Sequence, residues 1–565
     1  MSADFDLLVR GGTLADGAGG DLYEADVAVK EGHIVAVGPN LAGRAAEELD
    51  ARGLLVTPGF VDIHTHYDGQ VTWESRMAPS SDHGVTTIVT GNCGVGFAPC
   101  RLGDHDGLVA LMAGVEDIPE IVMTDGLRWD WESFPDYLDA VARRPRDVDV
   151  AAMLPHSALR VYVMGQRAVD REPATADDIA LMASLAREAM AAGAVGFGTS
   201  RAIQQKSIRG EPIPTVGAAE DELRGILHAV GEGGGVFQAL SDFAQFTNVE
   251  GEFAMFRRLV GEAGVPMSYT LHQKHGDPEG WRRLLKLTED ANRDGLPIRA
   301  QVLPRPTGLL LGFELSMSPF SRCPTYAKLS SLPLATKLVE LRKPEVRAAI
   351  LEEVKADRRA WWGQRFELTN PPEYEPDPSQ SLASRAEREG TTPAALAYDI
   401  LLQDGGKRLI FEPIQDYAHG SLEPTYEMMR HPDTILGLGD GGAHLGLVCD
   451  ASYPTTLLAY WTRDRVRGPR MPLAEAVKKL SADTARAIGL NDRGRIAPGL
   501  KADLNLIDYD RLQMGAPTAV YDLPAGGRRL VQKASGYVAT VVSGEVTYRA
   551  GEATGALPGK LVRKR

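Results

Sequence analysis

The sequence predicts an α/β protein, a (β/α)8 TIM-like barrel with a small β-sandwich domain formed by both chain termini. Three observations predict it. After residue 57, short β-prone runs alternate with helical stretches eight times over, the pattern of a parallel sheet with crossover helices. Residues suited to metal or proton chemistry, namely His64, His66, Cys93, His156 and Asp440, each follow the end of such a run, and in this fold the chemistry sits at the C-terminal ends of the strands. Residues 1–56 and 491–565 share a different texture of short strands and tight turns. Neither piece has the apolar area to stand alone, so each needs the other.

In the N-terminal piece the β-prone runs are 6–9, 25–29 and 34–37, with Gly11-Gly12 marking a turn. The barrel opens with Pro58-Gly59-Phe60-Val61-Asp62-Ile63-His64-Thr65-His66. Its second strand, 86–90, ends at Gly91-Asn92-Cys93, and its third, 149–154, ends at Pro155-His156. A helix over 174–192 precedes the fourth strand at 195–198, and a helix over 220–231 precedes the fifth at 235–240. A helix over 252–263 precedes the sixth at 265–270; 297–302 is the seventh and 435–438 the eighth, which stops at Gly439-Asp440-Gly441-Gly442. The stretch from about 308 to 404, rich in proline and charge, reads as an insertion covering the barrel mouth. The C-terminal piece returns to short strands at 502–508, 538–542 and 545–546. The domains are therefore 1–56 and 491–565 for the β-domain and 57–490 for the barrel.

A chain of 565 residues exceeds the size at which one core keeps growing, so a large domain with a smaller companion is expected. Hydrophobic residues make up 44% and charged residues 24%, as in ordinary globular proteins. The net charge of −15, from 61 basic and 76 acidic residues, argues against a nucleic-acid surface or a polybasic membrane anchor. Met1 to Asp6 has neither the basic flank nor the apolar run of a signal peptide, and no stretch reaches the ~18 apolar residues of a membrane span. Cys93, Cys100, Cys323 and Cys449 are too few for a disulfide framework, which points to a reducing, cytoplasmic setting.

Along a strand, alternate side chains share a face, so His64 and His66 project together from the first strand end. A single histidine on an apolar face is usually a satisfied core residue, but two at this spacing each need a partner, and one cation serves both. Two neutral imidazoles call for an anionic ligand, with Asp440 and Cys93 as candidates. A thiolate at Cys93 favours zinc over magnesium or calcium.

These motifs, with Gly91-Asn92-Cys93-Gly94, Gly439-Asp440-Gly441 and Pro498-Gly499-Leu500-Lys501-Ala502-Asp503-Leu504, resemble the amidohydrolase superfamily, and within it the N-acyl-D-amino-acid deacylase group. The resemblance covers nearly the whole chain. It implies a zinc-dependent hydrolase in which His64 and His66 are first-strand metal ligands, Cys93 the thiolate ligand, and Asp440 both ligand and catalytic acid-base group. The implied reaction is attack on a C–N (amide) bond by a hydroxide generated on the metal, with Asp440 taking a proton and passing it to the leaving nitrogen.

The chain also departs from that pattern. Where the family ends its fifth and sixth strands in metal-binding histidines, this sequence has Gln238-Ala239-Leu240 and Tyr269-Thr270-Leu271. His272 lies one residue late, and reaches the metal only if a bulge turns it inward. One zinc is therefore expected, with two as the alternative. The family's carboxylate-gripping tyrosines and arginine are replaced by Leu303-Pro304-Arg305-Pro306 and Ala443-His444-Leu445-Gly446. His156, His272, Arg305 and His444 are the candidates for binding substrate. The leading reading is deacylation of an N-acyl amino acid or related small amide, with a homo-oligomer left open. Ester, lactone or carbamate hydrolysis on the same barrel is the second reading, and a barrel that binds without catalysing is the third.

Overall fold

The structure is a computed structural model that describes residues 3–241, 243, 248–357 and 361–564. Eight parallel strands run in sequence order: Phe60–Asp62, Val85–Thr90, Asp149–Pro155, Gly196–Ser200, Val236–Leu240, Met267–Thr270, Ile298–Val302 and Thr434–Leu436. Beyond the last ladder, Asp440 N donates to His64 O (3.2 Å) and His66 N to Gly441 O (2.8 Å), joining the continuations of the eighth and first strands. The same bonds place Asp440 beside the two histidines.

Alternation along the strands divides inside from outside. Val61, Ile63, Val89, Ala151, Met153, Val195, Val236 and Ile435 form one buried cluster. Phe197, Phe237 and Tyr269 belong instead to the larger core shared with the surrounding helices. Three helices expected over 174–192, 220–231 and 252–263 are found at Ala176–Ala191, Glu220–Glu232 and Val249–Ala263. The first opens on a reciprocal cap in which Thr175 Oγ1 accepts from Asp178 N and the Asp178 carboxylate accepts from Thr175 N.

Both termini meet in one nine-stranded sheet. Leu55–Pro58 lies between Phe5–Leu14 on one side and Leu504–Ile507 on the other, with Leu504 opposite Pro58. The bulge between Val9 and Gly12 lets Phe5–Leu14 pair first with Ala45–Asp50 and then with Leu55–Pro58. The strands enclose a core of their own that includes Leu7, Val27, Ile34, Val56, Leu504 and Val541.

At the opposite end of the barrel from the site, Asp149 joins three parts of the chain. Its carboxylate is 2.7 Å from Arg493 Nη1 and 3.1 Å from Lys501 Nζ, and accepts from Lys560 N at 2.9 Å. Burial opposes its charge, but Lys501 and Arg493 hold the carboxyl below the usual aspartate range. From Lys560 the chain runs on beneath the third strand, where Val562 N donates to Val150 O (2.7 Å).

The insertion between the seventh and eighth strands extends past residue 404 to Pro413. Ile410–Pro413 pairs with both Gly308–Leu311 and Phe366–Glu367, so the three strands close as one small sheet. Among the described residues five α-helices lie between these strands, and the unit has its own core around Phe313, Phe320, Leu341 and Tyr398. Among the described residues, no helix is long and apolar enough to cross a membrane.

Candidate active site

His64, His66 and Cys93 come together at the C-terminal mouth of the barrel, all buried, with one ligand atom from each lying within 4.8 Å of the others. The His64 ring joins two neighbours: Nε2 is 3.4 Å from Cys93 Sγ and 3.4 Å from Asp440 Oδ1. His66 Nε2 is 3.6 Å from the same Asp440 oxygen. Among the described residues Asp440 Oδ1 is buried without a hydrogen-bond partner, although 26% of the side chain remains exposed.

The loop geometry explains why these residue types occur here. Gly91 has φ 84°, and a Cβ there would sit 2.1 Å from Met153 O, so the turn bearing Cys93 packs directly on the third strand. Gly442 has φ 93°, and a Cβ would meet Gln70 Oε1 at 2.6 Å. Cys93, Leu438, Asp440 and His444 themselves hold left-handed backbone, with φ of 53°, 66°, 47° and 50°. Non-glycine residues adopt it at a cost, and such strain gathers at functional sites.

One further residue fixes His64. Gln301 Oε1 accepts from His64 Nδ1 at 2.7 Å, while Gln301 Nε2 donates to Ser268 Oγ at 2.8 Å. With the proton held on Nδ1, Nε2 presents its lone pair to Cys93 and Asp440. His66 faces Glu116, whose Oε1 is 3.5 Å from Nδ1 and whose Oε2 is 3.6 Å from His444 Nε2.

The electrostatics suit a cation. Burial, joined by the charges of Asp440 and Asp68, raises the Glu116 carboxyl well above its ordinary range. Burial also raises the Asp62 and Asp68 carboxyls to about 7. The Cys93 thiol is raised by burial first and then by the charges of Glu116, Asp440 and Asp68. A bound divalent ion reverses that logic, since it stabilises carboxylates and deprotonates a coordinating thiol. Two imidazoles, one thiol and a buried, unpartnered carboxylate oxygen fit zinc.

The candidate substrate residues separate in space. His444 is 30% exposed at the mouth. His272 donates through Nδ1 to Asp416 Oδ2 (2.7 Å). His156 is fully buried, with Nδ1 on Thr199 Oγ1 (2.8 Å) and Nε2 on Glu222 Oε1 (2.9 Å), so neither nitrogen is left for a ligand. Arg305 is likewise engaged inside the protein, 2.7 Å from Asp450 Oδ1 and stacked 3.7 Å over the Tyr374 ring. Position at a strand end suggested both residues; Glu222 and Asp450, distant in sequence, pair them. Glu116 and Gln301 went unread because a glutamate ending a helix and a glutamine inside a strand carry no local signal of metal chemistry.

A buried His-His-Cys cluster with an adjoining aspartate, at the C-terminal mouth of a (β/α)8 barrel, defines a metal-site barrel protein. The sequence profile of the amidohydrolase family matches residues 47–548, and the chain belongs to that family. The chain is 28% identical over 574 residues to a D-aminoacylase of Alcaligenes xylosoxydans xylosoxydans, covering 100% of this chain and 98% of that one. It is 27% identical over 532 residues to an N-acyl-D-glutamate deacylase of the same organism, covering 93% and 91%. In fold it is similar to the crystal structure of D-aminoacylase (TM-score 0.65, 23% identity, 99% and 100% covered). It is similar too to the N-acyl-D-glutamate deacylase of Bordetella bronchiseptica complexed with zinc and a phosphonate inhibitor (TM-score 0.65, 22% identity, 99% and 100% covered).

Proposed function

We propose that this chain is a zinc-dependent amidohydrolase that deacylates a small N-acyl amino acid of the D series. The observation that carries the reading is the buried, unpartnered Asp440 Oδ1 facing His64 and His66 beside Cys93. The full-length relatives named as deacylases of D-amino-acid derivatives support the substrate class. His64, His66, Cys93 and Asp440 hold one zinc in this reading. When bound, the ion supplies Lewis acidity and brings the ionisation of water near neutral pH.

The chain's own residues do the rest. Asp440, part-open to the mouth, takes the proton of the attacking water on its carboxylate and returns it to the nitrogen of the leaving amine. Gln301 keeps the His64 proton on Nδ1. In this reading His444, part-exposed beside Glu116, and His272, held by Asp416, meet the substrate. Residues 57–490 form the catalytic domain, with 1–56 and 491–565 as the β-domain, and the insertion that begins at 308 borders the mouth. Four unpaired, buried cysteines support a cytoplasmic setting.

Two measurements test the assignment. Plasma mass spectrometry of protein purified without added metal is expected to give about one zinc per chain, lost in the His64→Ala/His66→Ala double variant; metal retained in that variant overturns the ligand set. Hydrolysis of matched N-acyl-D and N-acyl-L amino acids and of the corresponding esters is expected to favour the D amide, and cleavage of esters alone would turn the reading to the ester hydrolase. Gln301→Leu is expected to weaken zinc binding by about 10–100-fold in a chelator competition. Unchanged affinity there would mean that His64 needs no orienting partner.

A further inference from the structure

Gln238 is the middle residue of the fifth barrel strand, Val236–Leu240, and is 1% exposed. Its neighbours Phe237 and Ala239 belong to the core shared with the helices, while Val236 belongs to the inner cluster. By alternation Gln238 therefore points inward with Val236. Its Oε1 accepts from the backbone N–H of Cys93 at 2.9 Å. The amide orientation follows from that bond, because an N–H requires the oxygen, not the NH2, on its side. Nε2 thus faces away from the Cys93 nitrogen, and it is buried with no hydrogen-bond partner among the described residues.

Among the described residues, its neighbours in register do not answer that NH2. In register with Gln238 on the fourth strand stands Gly198, against which the Gly91 carbonyl of the Cys93 turn packs so closely that a Cβ would lie 2.1 Å from it, and on the sixth stands Ser268, whose hydroxyl already accepts from Gln301 Nε2. Among the described residues, two N–H bonds on one amide are left unanswered next to the residue that carries the thiol of the metal cluster. Buried polar groups are almost always paired, so an orphan donor in such a place calls for a missing acceptor.

We infer that Gln238 Nε2 donates to the carbonyl oxygen of the scissile amide and holds the negative charge that gathers on that oxygen as the bond is attacked. This inference rests on the deacylase reading and assigns it a further catalytic residue. Depth decides which oxygen is meant: the mouth groups His444 and His272 meet the periphery of a substrate, whereas Nε2 sits beside Cys93. A fixed donor in a site closed to water acts where charge develops, and its effect falls on the transition state more than on the bound substrate.

The test uses Gln238→Met, close in shape but without a donor, and Gln238→Glu, which keeps the acceptor for Cys93 N–H. The assay substrate is an N-acyl-D-amino acid that the wild type hydrolyses. With zinc content equal to wild type, kcat is expected to fall by about 10²–10³-fold with KM within a few-fold. Affinity for a phosphonate analogue of the tetrahedral intermediate is expected to fall in parallel, while affinity for the product carboxylate holds. A kcat within about threefold of wild type at full zinc content overturns the inference. So does a loss that follows lost zinc in both variants, since Gln238 would then act only by positioning the Cys93 turn. Wild-type protein at full zinc content that cleaves no N-acyl-D-amino acid overturns the deacylase reading itself, and this inference with it.

Discussion

Asp440→Asn is expected to lower turnover by about 10²–10⁴-fold while leaving the fold intact. Asparagine is nearly the same shape, so the backbone bond from residue 440 N to His64 O is kept, and with it the junction of the eighth and first strands. What is lost is the negative oxygen 3.4 Å from His64 Nε2 and 3.6 Å from His66 Nε2, which carries both a metal-ligand position and the proton acceptor. Circular dichroism and thermal unfolding of the variant should match wild type, and zinc content should fall only in part, because His64, His66 and Cys93 remain. A variant that turns over at wild-type rate would remove Asp440 from the mechanism. One that fails only through complete loss of zinc would leave it as a ligand and nothing more.

The second large effect is on stability and lies far from the chemistry. Asp149→Asn is expected to destabilise the protein by about 3 kcal/mol, toward the low end for breaking a buried ion pair. The low end applies because each cation keeps another partner: Arg493 retains Asp492 (2.9 Å) and Lys501 retains Asp503 (2.5 Å). The pH dependence has a definite sign. Because the folded Asp149 carboxyl is held below its ordinary value, its contribution is fully present above the unfolded pKa of ~3.9 and is lost as pH falls through the lower folded value. Wild type should therefore lose stability below about pH 4 more steeply than the variant. Denaturant titrations at pH 7 and in acid read both quantities, and a difference under about 1 kcal/mol at pH 7 would make the cluster no stronger than a surface ion pair.

Periodicity made most of the barrel legible. Period two put His64 and His66 on one face, glycines marked the turns at Cys93 and Asp440, and helical spacing located the crossover at Ala176–Ala191 within two residues at its start and one at its end. What stayed hidden depends on partners brought together by tertiary structure. His156 and Arg305 satisfy the same local pattern as the residues around Asp440, and only Glu222 and Asp450 reveal them as internal pairs. Gln238 read as a missing ligand, yet it holds the Cys93 turn. Glu116 ends a largely apolar, buried helix, and only packing shows that its carboxylate faces His66 and His444.

The pairing of Leu55–Pro58 with Leu504–Ile507 also governs how the chain is born. On a ribosome working at about 5–20 residues per second, the later strand emerges some 20–90 s after the earlier one. Through that interval Leu55–Pro58, all four residues destined for burial, presents an unpaired edge just before the first catalytic strand. Open strand edges recruit other chains, so nascent protein is most vulnerable to aggregation while the barrel is being made. Slowing synthesis lengthens that exposure, whereas a chaperone that shields extended apolar segments shortens it.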